Sequence, residues 1–393
     1  MASGAGGSRV VTAMSGAQLL SPRTVDEAMT VMRDTIARRE PLRIVGALTW
    51  RDAGPPVVAT HTLTLGALSG VIAYVPGDLT ITAWAGTTLA ELAHETAAHG
   101  QWLGLDPAGD RMGTIGATLA TASAGPLAHA FGTPRDLVLG LDAITGYGEL
   151  VKPGGRVVKN VAGFDLVRLL TGSWGTLGAI TSATLRLRAL PVHDVTLAIP
   201  VPHDRALGEL IASLRRNTLS LLACEWVDGV TARALDVSDG SDVILLRLGG
   251  TETFVRGQRA VLDSIATCRP CDPATWGLLS ALDRDATAVI RLSGSVSALP
   301  ARIVRIRAAF AGAPSVVLHA SITRGIVRVI VSGDASAVRC ALQQQLADEH
   351  RIAERLPSAW WAAEPDPFTS GLSGRIRAAF DPQHLCNRRA SDA

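Results

Sequence analysis

Two lysines and several glycine turns lie together between residues 152 and 180. Lys152 and Lys159 are the only lysines among the 37 basic residues of the chain, and both fall in this region. Glycine turns let main-chain atoms approach a flat ligand closely, and a lysine beside them could set a positive charge against that ligand. The same spacing also fits a crowded corner between a helix and a strand. The residues alone leave both interpretations open.

Two other segments of small residues could hold phosphate groups. Residues 42–45 predict a strand that runs into the turn Gly46–Ala47, and residues 112–126 are rich in Gly, Ala and Thr and carry no charge. Main-chain N–H groups in such loops can bind a pyrophosphate, although a buried helix also favours these residue types. The motif G-x-G-x-x-G does not occur in the chain, so a nicotinamide dinucleotide site is disfavoured.

His319 and Arg324 are candidates for a catalytic base and for a cation that binds a carboxylate. His319 has no second His and no acidic residue near it in the sequence, and a lone His at a strand end is more often structural. Cys268 and Cys271 have the spacing of a redox or metal pair, but no second pair completes a site, so no metal is expected. The chain also lacks a nucleophile elbow, a P-loop and an H-E-x-x-H motif.

Length and composition bound the class of protein. At 393 residues and 41.0 kDa the chain is expected to form two domains, and its hydrophobic content of 47% indicates a folded protein. A net charge of +2 favours neither a nucleic-acid partner nor a membrane surface. Five scattered cysteines indicate a reducing compartment, so a cytoplasmic location is expected. No run of apolar residues is long enough to span a bilayer.

Capping signals and hydrophobic periodicity predict the elements of the first half. Thr24 begins a helix that ends near Arg39, and Thr88 begins a second helix. Asp165 begins a short helix, and from Ile180 onward the residues alternate between the two sides of a strand. Further strands are predicted at residues 42–45, 70–76, 79–85 and 137–144.

After Pro191 the same order of elements occurs twice. Strand, helix, strand, strand and helix are predicted at residues 196–201, 204–216, 219–227, 242–248 and 253–266. The order recurs at residues 287–292, 298–311, 315–319, 326–331 and 335–350. This duplication predicts an antiparallel sheet with helices on one face.

Four segments of the first half, taken together, resemble one known family. They are residues 78–92, residues 99–103, the pair Arg135–Asp136 and residues 157–180, within which the string from Lys159 to Asp165 is the most specific. These segments resemble the FAD-binding domain of the vanillyl-alcohol oxidase/PCMH flavoprotein family, and within it the E subunits of glycolate oxidases. The resemblance covers residues 21–191 strongly and extends to the tail through residues 380–382 and Asn387.

The resemblance implies an α+β fold, with a PCMH-type two-subdomain FAD-binding domain and a ferredoxin-like duplicated cap domain. A flexible tail would occupy residues 1–20 and the FAD-binding domain residues 21–193. The cap, with its two β-α-β-β-α units, would occupy residues 194–350. A C-terminal segment, residues 351–393, would return to the FAD-binding domain.

The resemblance also implies where the cofactor lies. FAD would rest between the Gly46 turn and the loop at residues 113–125, with a cation near the flavin ring to stabilise its reduced form. Lys159 is the first candidate for that cation and Arg135 the second. The implied cofactor-binding residues are Gly46, Ala47, Gly113, Thr114, Gly116, Ala117, Thr121, Ala122, Gly125, Arg135, Asp136, Lys159, Gly163, Asp165, Gly175, Gly178, Ile180 and Asn387.

Three departures from the family's pattern affect the phosphate loops. The first loop has one glycine, in Gly46–Ala47, where the family has three, and the second has Gly116–Ala117 in place of a glycine pair. Basic residues that usually follow are replaced by Leu127 and Ala128. Each added Cβ or lost charge is expected to loosen the phosphate site. No His or Cys follows Gly46 at the position of covalent attachment, so the FAD is expected to be non-covalent.

The resemblance implies that the chain works as a subunit of a complex. The chain would be the FAD-binding subunit for oxidation of a small 2-hydroxy acid, glycolate or D-lactate, to the 2-oxo acid. Its implied partners are a catalytic D-like flavin subunit and an F-like iron–sulfur subunit, through which it could lie at the inner face of the membrane. Two alternatives stay open. One is a self-sufficient FAD oxidoreductase that uses Arg324 and an unidentified base, and the other is a non-catalytic interaction subunit with a vestigial flavin pocket.

Overall fold

A computed structural model describes residues 18–50, 52–109, 111–155, 165–311, 313, 315–364 and 371–389. This part of the chain has the expected α+β fold and two main hydrophobic cores. One core lies mainly among the elements before residue 190, and the other lies between a large sheet and four helices that follow. Within the described residues, no helix combines the length and the apolar character needed to cross a membrane.

The strands of the first half form a parallel sheet, an antiparallel sheet and a two-stranded ribbon. Their bounds are β1 Gln18–Leu20, β2 Leu42–Val45, β3 His61–Thr64, β4 Val71–Val75, β5 Thr80–Trp84, β6 Gln101–Trp102, β7 Val138–Thr145, β8 Leu150–Val151, β9 Gly178–Arg186 and β10 Arg188–Ala189. The parallel sheet has the order β1-β3-β2 and the antiparallel sheet the order β4-β5-β9-β7-β8. The helices are α1 Val25–Arg38, α2 Leu89–Ala97, α3 Ile115–Thr121, α4 Ala128–Phe131, α5 Pro134–Leu137 and α6 Leu166–Leu170.

The predicted helix starts and the predicted central strand of this half are confirmed, although both sides of that strand are buried. Thr24 caps α1, Thr88 and Glu91 form the capping box of α2, and Asp165 caps α6. Strand β9 does not alternate between buried and exposed residues, because all its residues before Arg186 are buried. It lies between β5 and β7, and a central strand with both faces covered is buried on both sides.

The second half contains one antiparallel sheet of eight strands. The strands are β11 His193–Val201, β12 Ala223–Val227, β13 Asp242–Gly250, β14 Arg269–Cys271, β15 Ala288–Ser293, β16 Val316–Ser321, β17 Ile326–Val331 and β18 His350–Arg355, in the order β14-β11-β13-β12-β16-β17-β15-β18. Its helices are α7 Asp204–Arg216, α8 Gly229–Ala234, α9 Glu252–Ile265, α10 Thr275–Ala281, α11 Leu299–Ala309 and α12 Ser336–Gln344. Each half of this sheet places its four strands in the order 4-1-3-2, and β12 and β16 join the halves.

Two expectations for this half were wrong in detail. Strands β14 and β18 add a fourth strand to each predicted unit, and β18 begins where the sequence predicted the end of a helix. Helices also lie on both faces of the sheet. The long helices α7, α9, α11 and α12 pack on one face, and the short helices α8 and α10 pack on the other through Ala232 and Trp276. Alternate strand residues point to opposite faces, so each face has its own apolar set.

The last described segment returns to the first half. Helix α13, Gly371–Phe380, is followed by residues 381–389, which run beside β2. The N–H group of Leu42 donates to the carbonyl of Leu385 at 2.9 Å, and that of Asn387 donates to the carbonyl of Leu42 at 2.9 Å. This contact places Asn387 at the edge of the parallel sheet.

Candidate functional site

A cleft of about 580 Å³ opens beside the parallel sheet and the start of α3. Its volume falls in the range of roughly 300–1,000 Å³ that is typical of ligand and cofactor sites. The structure brings eleven of the predicted residues to its wall, namely Gly46, Ala47, Gly113, Thr114, Gly116, Ala117, Thr121, Gly175, Gly178, Ile180 and Asn387. No His or Cys is present among the described residues that line it.

Two glycines allow the walls of the cleft to approach each other. A Cβ on Gly46 would lie 2.2 Å from the Oγ1 atom of Thr114, and a Cβ on Gly116 would lie 2.6 Å from the Cβ of Ala85. Real Cβ atoms do not make contacts this short, so a larger residue would push the first loop away from α3 or α3 away from β5. Glycine at these positions therefore sets the width of the cleft.

Main-chain N–H groups without a described acceptor lie in the first loop of the cleft. Among the described residues, none accepts a hydrogen bond from the main-chain N–H groups of Ala47, Leu48 or Thr49. The N–H groups of Ile115 and Gly116 already donate within the protein, to the carbonyls of Thr87 and Ala85 at 2.9 and 2.8 Å. Ala47 and Thr49 are exposed and Leu48 is half-buried, so these N–H groups are open to a ligand. Successive main-chain N–H groups in a loop can bind an anion, so the first loop fits a phosphate-bearing cofactor such as FAD.

Asn387 connects three parts of the cleft wall. Its Oδ1 atom accepts from the N–H group of Ile44 at 2.7 Å, and its Nδ2 atom donates to the carbonyl of Trp174 at 2.7 Å. The neighbouring Gly175 has a φ of +71°, and a Cβ there would lie 2.5 Å from Nδ2 of Asn387. The tail, β2 and the turn after α6 are thereby held together.

Other predicted residues do not line the cleft and have local partners instead. The Nε atom of Arg135 donates to the carbonyl of Thr171 at 3.1 Å. The carboxylate of Asp136 accepts from the N–H group of Thr133 at 2.8 Å and so caps α5. Arg135 therefore holds the end of α6, and the structure does not bring it or Asp136 to the cleft.

The same holds for three further predicted residues. Ala122 ends α3 in a left-handed conformation with a φ of 49°. Gly125 packs against the main chain of Asp106 and lines a second, smaller cavity. Asp165 is exposed and accepts from the N–H group of Arg168 at 3.0 Å as the cap of α6.

The lysine region is only partly described. Lys159 and Gly163 lie outside the described residues, so the proposed cation of Lys159 near a flavin stays a prediction. The other lysine, Lys152, is exposed and lies 3.6 Å from the carboxylate of Asp142.

The smaller cavity lies between the cap sheet and the loop at residues 124–126, and it shares Ala108 with the large cleft. His319 lines it, and the sequence-based view that no acidic residue accompanies this His was wrong. The Nδ1 atom of His319 lies 3.1 Å from Oε2 of Glu225, and both residues are buried. Strands β12 and β16 pair so that Glu225 lies opposite Ser321, two residues from His319 on the same face.

Arginines surround this His–Glu pair. Arg328 forms ion pairs with Asp283 at 3.1 Å and with Glu354 at 2.6 Å, so its charge is balanced within the cap. Arg324 lines the cavity, and within the described part of the chain its guanidinium has no ion pair and no hydrogen bond. Burial lowers the pKa of Arg324. The carboxylates of Glu225 and Asp106 are near enough to act on this charge, but neither is bonded to the guanidinium. A partly buried guanidinium with unused donors is suited to a carboxylate ligand.

Sequence reasoning missed most of the charged residues of this cavity, although a signal was present. Glu225, Arg291 and Arg328 each stand inside an otherwise apolar strand. A buried charge is costly unless it is paired or functional, so such isolated charges mark positions that face one another in the fold. Among the described residues, no group of three or more His, Cys, Asp or Glu side chains could hold a metal ion.

Comparisons with known proteins agree with the interpretation of the cleft as an FAD site. Residues 17–154 match a family model described as an FAD binding domain. The glycolate oxidase subunit GlcE of Escherichia coli is 33% identical over 229 residues, which cover 58% of this chain and 64% of that protein. The mitochondrial D-lactate dehydrogenase [cytochrome] of Arabidopsis thaliana is 28% identical over 259 residues, which cover 63% of this chain and 44% of that protein. The chain thus spans less than two thirds of either relative.

Solved structures show the same fold over nearly the whole chain. The 4-ethylphenol oxidase of Gulosibacter chungangensis superposes with a TM-score of 0.71 at 13% identity, covering 94% of this chain and 88% of that one. An alkyldihydroxyacetonephosphate synthase superposes with a TM-score of 0.69 at 16% identity, covering 94% and 75%. The match over residues 17–154, together with a cleft whose first loop offers main-chain donors, indicates that this part of the chain is an FAD-binding domain and that its cofactor is FAD.

Proposed function

We propose that the chain is the FAD-binding subunit of a complex that oxidises a small 2-hydroxy acid, such as glycolate or D-lactate, to the 2-oxo acid. The observation that carries the proposal is the smaller cavity beside the cofactor cleft. It contains the His319–Glu225 pair and Arg324, whose guanidinium is not bonded to any described residue. The names of the relatives, a glycolate oxidase subunit and a D-lactate dehydrogenase, support the same substrate class.

The residues of the cavity match what the oxidation of a hydroxy acid requires. When FAD is bound, its flavin ring supplies the hydride acceptor. Arg324 would bind the carboxylate of the acid through its guanidinium. His319 would take the hydroxyl proton at Nε2, because Nδ1 faces Glu225. Glu225 would hold the ring in place and stabilise the imidazolium that forms.

The size of the cavity favours a small acid. Its volume is about 30 Å³, and a single water molecule needs at least about 10–15 Å³ of such space. The cavity in this form therefore holds no more than a few waters, which a compact acid with two or three carbons could displace with limited side-chain movement.

The proposed partners are a D-like flavin subunit and an F-like iron–sulfur subunit that accepts the electrons, with the complex in the cytoplasm at the inner face of the membrane. Support comes from the relative GlcE, whose name identifies it as a subunit of glycolate oxidase. Purification of the chain from its native host without overexpression, followed by mass spectrometry of the bound proteins, tests this part. The proposal of a complex would be contradicted if the chain were isolated without bound proteins and still carried the full hydroxy-acid oxidation activity of the crude extract.

A second candidate is turnover by this chain alone. The His319–Glu225 pair favours it, because the sequence had suggested a carboxylate-binding arginine without a base. Anaerobic addition of glycolate or D-lactate to the purified, FAD-loaded chain tests whether the partners are needed for the oxidation. Bleaching of the flavin absorption without any partner would show that this chain oxidises the acid itself. Bleaching only after a D-like subunit is added would support the division of labour. If the protein is colourless after FAD has been added and the unbound FAD removed, both proposals are contradicted and a vestigial pocket is favoured.

Variants of the cavity test the assigned roles. Arg324→Met is expected to weaken binding of the acid about ten- to a hundredfold, the loss of one charge-assisted hydrogen bond or slightly more. His319→Gln is expected to lower the rate of flavin reduction by about 10²–10⁴, the usual contribution of a general base. Arg256→Met, at an exposed position of α9, is the matched control. Both cavity variants should still bind FAD. If their affinity for the acid and their rate of flavin reduction equal those of the parent protein, the cavity has no role in the mechanism.

A further inference from the structure

A turn of the cap lies between the two cavities and contributes to both. Asp283 lines the smaller cavity, and the next two residues, Arg284 and Asp285, line the large cleft. The turn follows α10 and is distant in sequence from the glycine loops that form the rest of the cleft wall. The second half of the chain therefore supplies part of the cofactor cleft.

Arg355, at the end of β18, fixes the shape of this turn. Its Nη1 atom donates to the main-chain carbonyls of Asp283, Arg284 and Ala286, at 2.8, 3.1 and 3.0 Å. The Arg355 side chain is buried. A guanidinium that donates to three carbonyls of one turn leaves the backbone of that turn little freedom.

The same strand end is attached to the first half of the chain. Ala53 forms an antiparallel bridge with Arg355, and the N–H group of Gly54 donates to the carbonyl of Glu354 at 2.8 Å. Ala53 and Gly54 themselves line the large cleft. Gly54 has a φ of +76°, and a Cβ there would lie 2.7 Å from the ring of Trp174. The turn with Asp285 is thus held at a defined place relative to the glycine loops.

Asp285 has a distinct chemistry within the cleft. It is the one carboxylate among the described residues that line the cleft, and its side chain makes no hydrogen bond or ion pair with any described residue. An ionised carboxylate only accepts hydrogen bonds, and it repels phosphate. It therefore suits a neutral O–H or N–H donor of a cofactor, such as a sugar hydroxyl, the adenine amino group or the flavin imide.

We propose that Asp285 is a cofactor-binding residue that accepts a hydrogen bond from an O–H or N–H group of FAD, and that Arg355 is the positioning residue that holds Asp285 in the cleft. The cofactor site is then shared by both halves of the chain. The proposal concerns FAD alone and does not depend on the substrate or on the partners.

Titration of the apoprotein with FAD, followed by flavin fluorescence, tests Asp285. Asp285→Ala is expected to bind FAD about tenfold more weakly, the size of one lost hydrogen bond to a charged acceptor. Asp34→Ala, at an exposed position of α1 where the carboxylate has no described partner, is the matched control. Equal FAD affinities of the two variants would overturn the proposal.

A parallel titration with FMN locates the donor. If FMN binding to Asp285→Ala is weakened by the same factor as FAD binding, the donor belongs to the flavin and ribityl half of the cofactor. If FMN binding is unchanged while FAD binding is weakened, the donor belongs to the adenosine half. Either result supports the proposal.

A double-mutant cycle tests Arg355. Arg355→Met is expected to weaken FAD binding, and Asp285→Ala should then have little further effect, because the turn no longer holds Asp285 in place. Fully additive losses would overturn the positioning role. Arg351→Met, which alters the same strand at the pair with Glu364, controls for damage to β18. If Arg355→Met does not fold, as judged by circular dichroism, the comparison of Asp285→Ala with Asp34→Ala decides the proposal by itself.

Discussion

The replacement Gly46→Ala tests how closely the two loops of the cofactor cleft pack. The new Cβ would lie 2.2 Å from Oγ1 of Thr114, but 3.3 Å from the Cβ of Thr114 and 3.2 Å from the Cβ of Ala117. The severe contact therefore involves one atom, the hydroxyl oxygen. That oxygen also accepts from the N–H group of Ala117 at 3.4 Å and caps α3. Gly46 has no positive φ, so alanine adds no backbone strain at this position.

The expected free energies follow from this geometry. Gly46→Ala should lower the free energy of unfolding by about 1–3 kcal/mol, the usual cost of overpacking. Thr114→Ala alone should cost about 1 kcal/mol, because it removes a helix cap. The double variant should be less destabilised than the sum by about 1–2 kcal/mol, since the clashing oxygen is then absent. FAD affinity should follow the same pattern, with partial recovery in the double variant.

Urea denaturation of the four proteins of this cycle, together with titration by FAD, measures both effects. Gly77→Ala is the control, because a Cβ on Gly77 would meet no atom within 4 Å. It should leave both the stability and the affinity for FAD close to those of the parent protein. Additive losses in the double variant would show that Thr114 does not limit the space at Gly46, and would refute the account of how the glycine sets the width of the cleft.

Two further perturbations test charged groups that are shielded from solvent, one in each half of the chain. Burial raises the pKa of Asp106 to about 7. Folding therefore favours its protonated form, and this contribution to stability is lost as the pH rises from about 4 to about 7. Asp106→Asn should consequently show a smaller fall in Tm between pH 5 and pH 8 than the parent, and an identical fall would contradict the assignment. Arg328→Met should cost about 3–5 kcal/mol in urea denaturation, because it leaves the buried carboxylates of Asp283 and Glu354 without this cation. Arg259→Met removes the cation of the more exposed pair with Asp263 and should lower the free energy of unfolding by at most about 1 kcal/mol. Equal losses in the Arg328→Met and Arg259→Met variants would refute the argument.

Local patterns were sufficient for the regular elements of the fold. Helix α7 and strand β17 have the bounds that the hydrophobic periodicity predicted. Strand β14 was missed because it has three residues and contains Pro270, and β18 was missed because most of its residues are polar. Both extend a sheet edge by pairing with an apolar strand, β11 and β15 respectively. Their conformation comes from that pairing, which no short window of sequence contains.

The cofactor cleft was predicted better by its small residues than by its charged ones. Glycines mark places where loops approach closely, and that requirement is visible in the residue type itself. The role of Arg135 could not be recognised in this way, because an arginine suits a cofactor and a helix end equally well. Its contact with the carbonyl of Thr171 depends on how α5 and α6 pack.

The sequence, through its resemblance to a known family and its repeated order of elements, was enough to predict an FAD-binding domain, a duplicated cap and the loops that border the cofactor cleft. It could not show that Glu225 and His319, 94 residues apart, lie within 3.1 Å of each other, nor that Asp285 reaches the cleft. These contacts exist because β12 pairs with β16 and because Arg355 holds a turn against the first half of the chain. Pairing between distant strands is determined by the packing of the whole sheet, and for that reason it appears only in three dimensions.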